Sequence, residues 1–398
     1  MKKRIFISMH YMEIGGAESA LIGMLQAIDY SRYDVDLFLH AHRGEMMQFI
    51  PKEVNLLPEI KEYAMIEKPM IETLRKGCLR VAQARLKAKW QFKRYLKRKG
   101  LADSAAVFQY VGNAVTPVLP SLEYLGEYDL AISFLNPHNI VYDKVKAKKK
   151  ICWIHTDYTR IDINVEQELP VWAGYDHIMS ISPDVTKTFL QVFPSLKDKI
   201  VEMENILSTE FVRTRADEFD ASTELVGDGV KILSVGRFCE AKNYDNVPDI
   251  CRRIREQGVN LYWFLIGYGG LDNLIRQKIK EAGMEEYVII LGKRTNPYPY
   301  IKACDIYVQP SRYEGKSVTV REAQMLCKPV VVTYYATAPS QIQDGVDGRI
   351  VPMDNEGCAK GITEFVLDKG LQQHIVDYVH TRDYGNEKEI EKLYMLIP

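Results

Sequence analysis

Residues 230–242 read Val-Lys-Ile-Leu-Ser-Val-Gly-Arg-Phe-Cys-Glu-Ala-Lys. The first six form a run of strand length, and Gly236-Arg237 ends it at a turn. A helical pattern follows over 244–257, then an apolar run at 261–266 and a second helical pattern over 271–282. Three further apolar runs stand at 287–291, 305–309 and 329–333. Continuous apolar strands separated by helices are covered on both faces, which predicts an α/β fold built on a parallel sheet.

Outward from this stretch, the same alternation fills the first half. Runs at 4–9, 35–40, 130–134, 150–155 and 177–181 read as strands, with a helix over 17–28. The stretch 209–229 is polar and rich in Asp, Glu, Thr and Arg. It reads as the connection between two doubly wound domains. A chain of 398 residues suits two domains of roughly 150–200 residues better than one.

Fifty-two basic side chains against 53 acidic leave a formal charge of −1. That excludes a global basic field, and no nucleic-acid partner is expected. The seven cysteines form no Cys-x-x-Cys pair and no zinc spacing, so neither a disulfide frame nor a structural metal is expected. The apolar run at 5–9 is too short for a secretory signal. No run reaches the ~18 apolar residues of a spanning helix, so any membrane is met from its surface. One segment breaks the neutral balance. Residues 75–99 hold eleven cations and no acid, interleaved with Leu79, Val81, Leu86, Trp90, Phe92 and Leu96. This reads as one basic helix, either solvated with its apolar side on the domain or docked on an anionic membrane.

Four loops carry chemistry-bearing residues. Gly15-Gly16-Ala17-Glu18 opens the first helix, where N–H groups favour an anion, although alone it reads as a turn. Gly236-Arg237 with Lys242 puts two cations at a strand end, where open α/β sheets bind ligands. Gly267-Tyr268-Gly269-Gly270 is another strand-to-helix turn. The most specific stretch is Ser311-Arg312-Tyr313-Glu314-Gly315-Lys316-Ser317-Val318-Thr319-Val320-Arg321-Glu322-Ala323. Glu314 lies in the loop and Glu322 a turn or so into the next helix, whose side chains tilt back toward its start. The N–H groups of Lys316, Ser317 and Val318 are expected to be free there. Two carboxylates and backbone donors at one strand end can hold a polyhydroxyl ligand with its phosphate.

Taken together, the Glu314-x7-Glu322 spacing, Gly236-Arg237 with Lys242, Gly15-Gly16-Ala17-Glu18 and Asn296-Pro297-Tyr298 resemble the retaining glycosyltransferases of family 4, which have the GT-B fold. The resemblance implies an N-terminal Rossmann-like domain over 1–208 on the acceptor side and a C-terminal one over 209–384 on the donor side. It also implies that a helix within 385–398 returns to the first domain. It implies that Glu322 binds the ribose of a nucleotide sugar, and that Glu314 contacts the transferred sugar. The backbone of Gly315, Lys316, Ser317 and Val318 would hold sugar and phosphate. Arg237 and Lys242 would neutralise the diphosphate, and Gly16, Gly236, Gly267, Lys293 and Asn296 would complete the donor site. His155, in Ile154-His155-Thr156-Asp157, matches the family histidine near the transferred sugar. Lys316-Ser317 departs from the pattern, in which an apolar residue precedes Gly or Pro.

The implied activity is transfer of a hexose or N-acetylhexosamine from a UDP-linked sugar to a lipid-linked or cell-surface glycan. The enzyme would be cytoplasmic and peripheral to the inner face of the membrane. No metal or other cofactor is expected, because Arg237, Lys242 and helix-start N–H groups can stabilise the leaving diphosphate. Two alternatives share the architecture: a sugar-nucleotide epimerase, and a non-catalytic protein that binds the nucleotide sugar.

Overall fold

The computed structural model describes residues 2–159 and 161–398. The chain packs as two compact units, Met1–Ile206 with Asn386–Pro398, and Leu207–Gly385.

The first unit holds a seven-stranded sheet, all of whose pairings are parallel. Its strands are β1 (Lys3–Met9), β2 (Tyr33–Leu39), β3 (Asn55–Leu56), β4 (Tyr128–Ser133), β5 (Ala147–Ile154), β6 (His177–Ser180) and β7 (Ile200–Glu202), in the order β3-β2-β1-β4-β5-β6-β7. Ile5 lies opposite Val35 on one side and Leu130 on the other, and all three are buried. Burial of such a side chain contributes about 1.5–3 kcal/mol, and the pattern repeats along each central strand.

The second unit has six parallel strands: β8 (Val230–Val235), β9 (Leu261–Ile266), β10 (Val288–Gly292), β11 (Ile306–Gln309), β12 (Val330–Thr333) and β13 (Arg349–Val351), ordered β10-β9-β8-β11-β12-β13. Alternate residues face two different cores. Ile232, Trp263, Leu265 and Val308 pack on one side of the sheet. Leu233, Phe264, Tyr307 and Val332 pack on the other. This is the two-sided burial that continuous apolar runs imply.

Between β3 and β4 the first unit carries four helices, Lys61–Ala64, Met70–Arg75, Leu79–Lys99 and Ala106–Val115. The basic segment is therefore not one helix from 75 to 99. Gly77 sits at φ 75°, a left-handed conformation that breaks the chain between Arg75 and Leu79. Gly100, at φ 69°, ends the long helix. Arg85 ties it down by donating to the carbonyls of Met65 and Lys68 at 2.9 and 2.6 Å, and to the Thr73 hydroxyl at 2.9 Å.

Residues 386–398 form a short 3₁₀ turn at Glu387–Glu389 and a helix at Ile390–Tyr394, not a continuous helix. They are bound within the first unit. The Tyr394 hydroxyl accepts the Asp29 N–H at 2.7 Å, its ring stacks on Tyr33 at 4.6 Å, and Glu389 accepts the Glu204 N–H at 3.0 Å.

Candidate functional site

Strand order locates the crevice of the second unit. From β8 the chain moves outward to β9 and β10, then returns to place β11 on the other side of β8. Beyond the carboxyl ends of β8 and β11, helices diverge to opposite faces, the usual place for a ligand in an open sheet. Arg237 and Lys242 follow β8, and Glu314 follows β11.

The loops from these two strands are bolted together. Arg312 donates two parallel bonds to the Asp245 carboxylate, at 3.0 and 2.8 Å, and its N–H donates to the Ala241 carbonyl at 2.8 Å. A forked pair of this kind fixes geometry as well as charge. The Lys242 ammonium then reaches Glu314 Oε1 at 2.6 Å, and the Ser311 hydroxyl donates to the same oxygen at 2.6 Å. Thr337 holds the Glu314 carbonyl at 3.0 Å. Lys242 and Glu314 are both mostly buried, at 17% and 12% side-chain exposure, so this pair is weakly screened. Arg237 is exposed, and its guanidinium makes no hydrogen bond or ion pair among the described residues.

Gly236 is a glycine for a steric reason. A Cβ there would lie 2.9 Å from the Tyr244 hydroxyl and 3.0 Å from Lys242 Cε. A Cβ on Gly267 would run into the Gly236 carbonyl, so the 267–270 turn lies directly against the 236–238 loop. The Lys293 ammonium lies 5.3 Å from the Tyr268 ring of that turn.

Glu322 stands on the helix Val318–Met325 at 4% exposure and accepts the Tyr298 hydroxyl at 2.8 Å. Burial pushes its carboxyl up to about 7, against the opposing pull of the Tyr298 hydroxyl and the buried Arg215 guanidinium.

Two expected ligand groups are occupied within the protein. The Ser317 N–H is not open at the helix start, because it donates to Gln341 Oε1 at 3.0 Å while Gln341 Nε2 returns a bond to the Ser317 carbonyl at 2.6 Å. Asn296 is buried, donates to the Arg215 carbonyl at 2.7 Å and to Glu218 at 2.8 Å, and caps the Tyr298 N–H at 3.1 Å. It clamps Arg215 beside Tyr298 and Glu322. Gln341 and Arg215 escape a motif-based reading because they lie far from their partners in sequence.

In the first unit, Gly16 opens the helix Gly16–Ala27, with clear space where its Cβ would be. His155 follows β5, its ring 4.7 Å from Phe134 and its Nε2 buried without a partner. Burial pushes the imidazole down to about 4, so it is neutral at pH 7. The chain has one Asp-x-Asp triplet, Asp34-Val35-Asp36, but it lies within β2. Asp36 there pairs with Arg4 at 3.1 Å and accepts the Tyr128 hydroxyl at 2.6 Å, an architectural arrangement.

Residues 216–382 match the family model described as Glycosyl transferases group 1, so the second unit carries that domain. The chain is 29% identical over 159 residues to an N-acetylgalactosaminyltransferase of Campylobacter jejuni that acts on a diphospho-undecaprenol-linked saccharide. That match covers 39% of this chain and 43% of the relative. It is 29% identical over 146 residues to the amylovoran biosynthesis glycosyltransferase AmsK of Erwinia amylovora, covering 35% of each. The matches thus span less than half of these relatives' own lengths. Among solved structures, a variant of S. aureus TarM in complex with UDP superposes with a TM-score of 0.69 at 12% identity, over 99% of both chains. Anabaena HepE in complex with UDP gives 0.62 at 15% identity, over 99% of this chain and 97% of that one. The fold is that of these GT-B glycosyltransferases, with two parallel-sheet Rossmann-like domains.

Proposed function

We propose that this chain is a retaining, metal-independent glycosyltransferase. It moves a hexose or N-acetylhexosamine from a UDP-linked sugar to a lipid-linked or cell-surface glycan. The observation that carries the reading is the buried Lys242–Glu314 pair at the strand-order reversal of a group 1 glycosyltransferase domain, with Glu322 one turn into the following helix. The two relatives above are named for saccharide assembly, and the two neighbours were crystallised with UDP.

In this reading Glu322 takes the ribose hydroxyls and Glu314 a hydroxyl of the transferred sugar. As the bond from the anomeric carbon to the diphosphate breaks, charge builds on the leaving oxygens. Arg237, exposed and unpaired, and Lys242, already fixed by Glu314, stabilise that charge without reorganising. The leaving phosphate takes the acceptor's proton on the face it departs from, so the anomeric configuration is kept. His155, neutral, offers a hydrogen bond rather than a charge.

The helix Leu79–Lys99 supports a membrane-associated acceptor. Small residues, Val81, Ala82, Ala84 and Ala88, pack inward, whereas Leu79, Leu86 and Trp90 are 58%, 55% and 62% exposed. Positions i, i+7 and i+11 share one helical face, so these three make an exposed apolar line. Arg80, Lys87 and Arg94 lie on one side of it, with Lys89 and Lys93 on the other. Such a face suits the cytoplasmic surface of an anionic bilayer. Among the described residues, no helix is long and apolar enough to cross a membrane.

The test is incubation with UDP-sugars and membrane extract, with the product anomer read by NMR. Wild type should yield a glycosylated acceptor of unchanged configuration, with or without chelator, and Arg237→Ala or Lys242→Ala should lower turnover about 10²-fold or more. An epimerised nucleotide sugar, or binding without turnover, would replace the transferase reading. Loss of activity with EDTA that manganese restores would reject the metal-free mechanism.

A further inference from the structure

The first unit contains a second polar site, remote in sequence from the donor residues proposed in the second unit. It is a narrow pocket lined by His10, Tyr11, His40, Arg43, Tyr63 and Glu67. His10 and His40 stand immediately beyond the carboxyl ends of β1 and β2. β1 also borders the point where this sheet's strand order reverses toward β4, the position at which open sheets take ligands.

The side chains are held in place. Glu67 Oε1 lies 2.6 Å from His10 Nδ1, so in the neutral ring the proton sits on Nδ1 and the lone pair on Nε2. The His10 ring stacks on His40 at 5.3 Å, and His40 in turn meets the Ser8 hydroxyl at 3.2 Å. Burial, with His10 beside it, holds His40 well below the usual imidazole range, so it adds no charge. The Arg43 guanidinium lies over the Tyr11 ring at 4.0 Å, 3.5 Å from Glu67 and 3.7 Å from Glu13.

Two polar atoms of this pocket are buried without a hydrogen-bond partner: His10 Nε2 and Arg43 Nε. The first accepts and the second donates. Buried polar groups are rarely left unsatisfied, and the group that satisfies both is a hydroxyl, which donates and accepts at once. Two carboxylates against one guanidinium disfavour a phosphate. The pocket has room for roughly one water-sized group, so it takes a substituent rather than a sugar ring.

We infer that this pocket receives one hydroxyl of a neutral glycan acceptor, donated to His10 Nε2 and accepting from Arg43, with Glu67 as the residue that positions His10. The assignment of an acceptor to this unit rests on the transferase reading. The binding chemistry of the pocket does not.

Two measurements on the full chain separate these. The first uses p-nitrophenyl glycosides and their monodeoxy analogues as acceptors for UDP-sugar turnover. His10→Phe should raise KM for the glycoside at least tenfold and leave KM for the UDP-sugar unchanged. His10→Gln, whose amide oxygen still accepts, should recover part of the loss. One monodeoxy glycoside should be tenfold or more poorer with wild type but equal to its parent with His10→Phe. Equal deoxy penalties in both proteins would overturn the inference and leave a water-filled pocket. The second measurement follows the His10 ring nitrogens by NMR as the same glycosides are added, and needs no turnover. Shifts at Nε2 that are absent for the matching deoxy compound support the pocket even if no sugar is transferred, in which case the transferase reading alone fails. An unmoved Nε2 across the panel overturns the inference.

Discussion

Glu322 faces opposed demands as a buried carboxyl that must also meet a ligand. Its folded value of about 7 exceeds the ordinary 4.5, so the folded state keeps a proton that the unfolded chain has released. Stability from this group is therefore full below about pH 4.5 and lost as pH rises to about 7, at about 1.4 kcal/mol per pH unit. Glu322→Gln keeps an oxygen for the Tyr298 hydroxyl and removes the titration. Relative to wild type it should gain about 2–3 kcal/mol of stability between pH 4.5 and 8. Denaturant melts across that range check this, and parallel curves would mean that Glu322 ionises normally. UDP affinity should move the other way, falling by about 1–3 kcal/mol in Glu322→Ala with the loss of charge-assisted bonds. The spacing of Glu314, Glu322, Arg237 and Lys242 made those residues legible in the sequence, because a strand end followed by a helix start fixes where each one goes. The internal contacts of Ser317 and Asn296 were hidden for the converse reason. Their partners, Gln341 and Arg215, come from elements whose approach no local pattern encodes. The His10–Glu67 pair, 57 residues apart, is hidden in the same way.

Central strands were legible because a run of five or six apolar residues buried on both faces has few other readings. The edge strands β3, β7 and β13 have only two or three residues each, too few to show a period. The basic helix was legible as a segment but not in its facing. An interleaved apolar set suggests a single inward stripe, yet Val81, Phe92 and Leu96 pack inward with the alanines and Tyr95, while Leu79, Leu86 and Trp90 point out. A face of that kind can be tested directly. Wild type should float with anionic vesicles and release as salt rises. The quadruple variant Lys89→Gln, Lys93→Gln, Arg94→Gln, Lys97→Gln should lose about 3–4 kcal/mol of binding, at about 1 kcal/mol per cation. Trp90→Ser should weaken flotation while leaving its salt dependence intact. If wild type stays unbound at low salt, the helix is a solvated one and a soluble acceptor becomes the better reading.

On the scale of the whole molecule there are two compact units, and the proposed nucleotide contacts, Arg237, Lys242, Glu314 and Glu322, all belong to one of them. Scanning calorimetry should resolve two transitions, since independent units escape two-state behaviour. UDP at a hundredfold excess over its dissociation constant should stabilise one of them by about 2.7 kcal/mol and leave the other nearly unmoved. A single transition that shifts as a whole would show that the units melt together. The return of residues 386–398 to the first unit also sets an order in time. A ribosome releases Leu207–Gly385 in full before the segment that carries Tyr394 and Glu389 emerges. At about 5–20 residues per second, the first unit waits roughly ten to forty seconds after its Ile206 is made. Throughout that interval the surface formed by Asp29, Tyr33 and Glu204 stands uncovered. The half of the protein that begins first is thus the half that finishes last, and a stalled or truncated transcript leaves it open to chaperones and proteases while its partner is already complete.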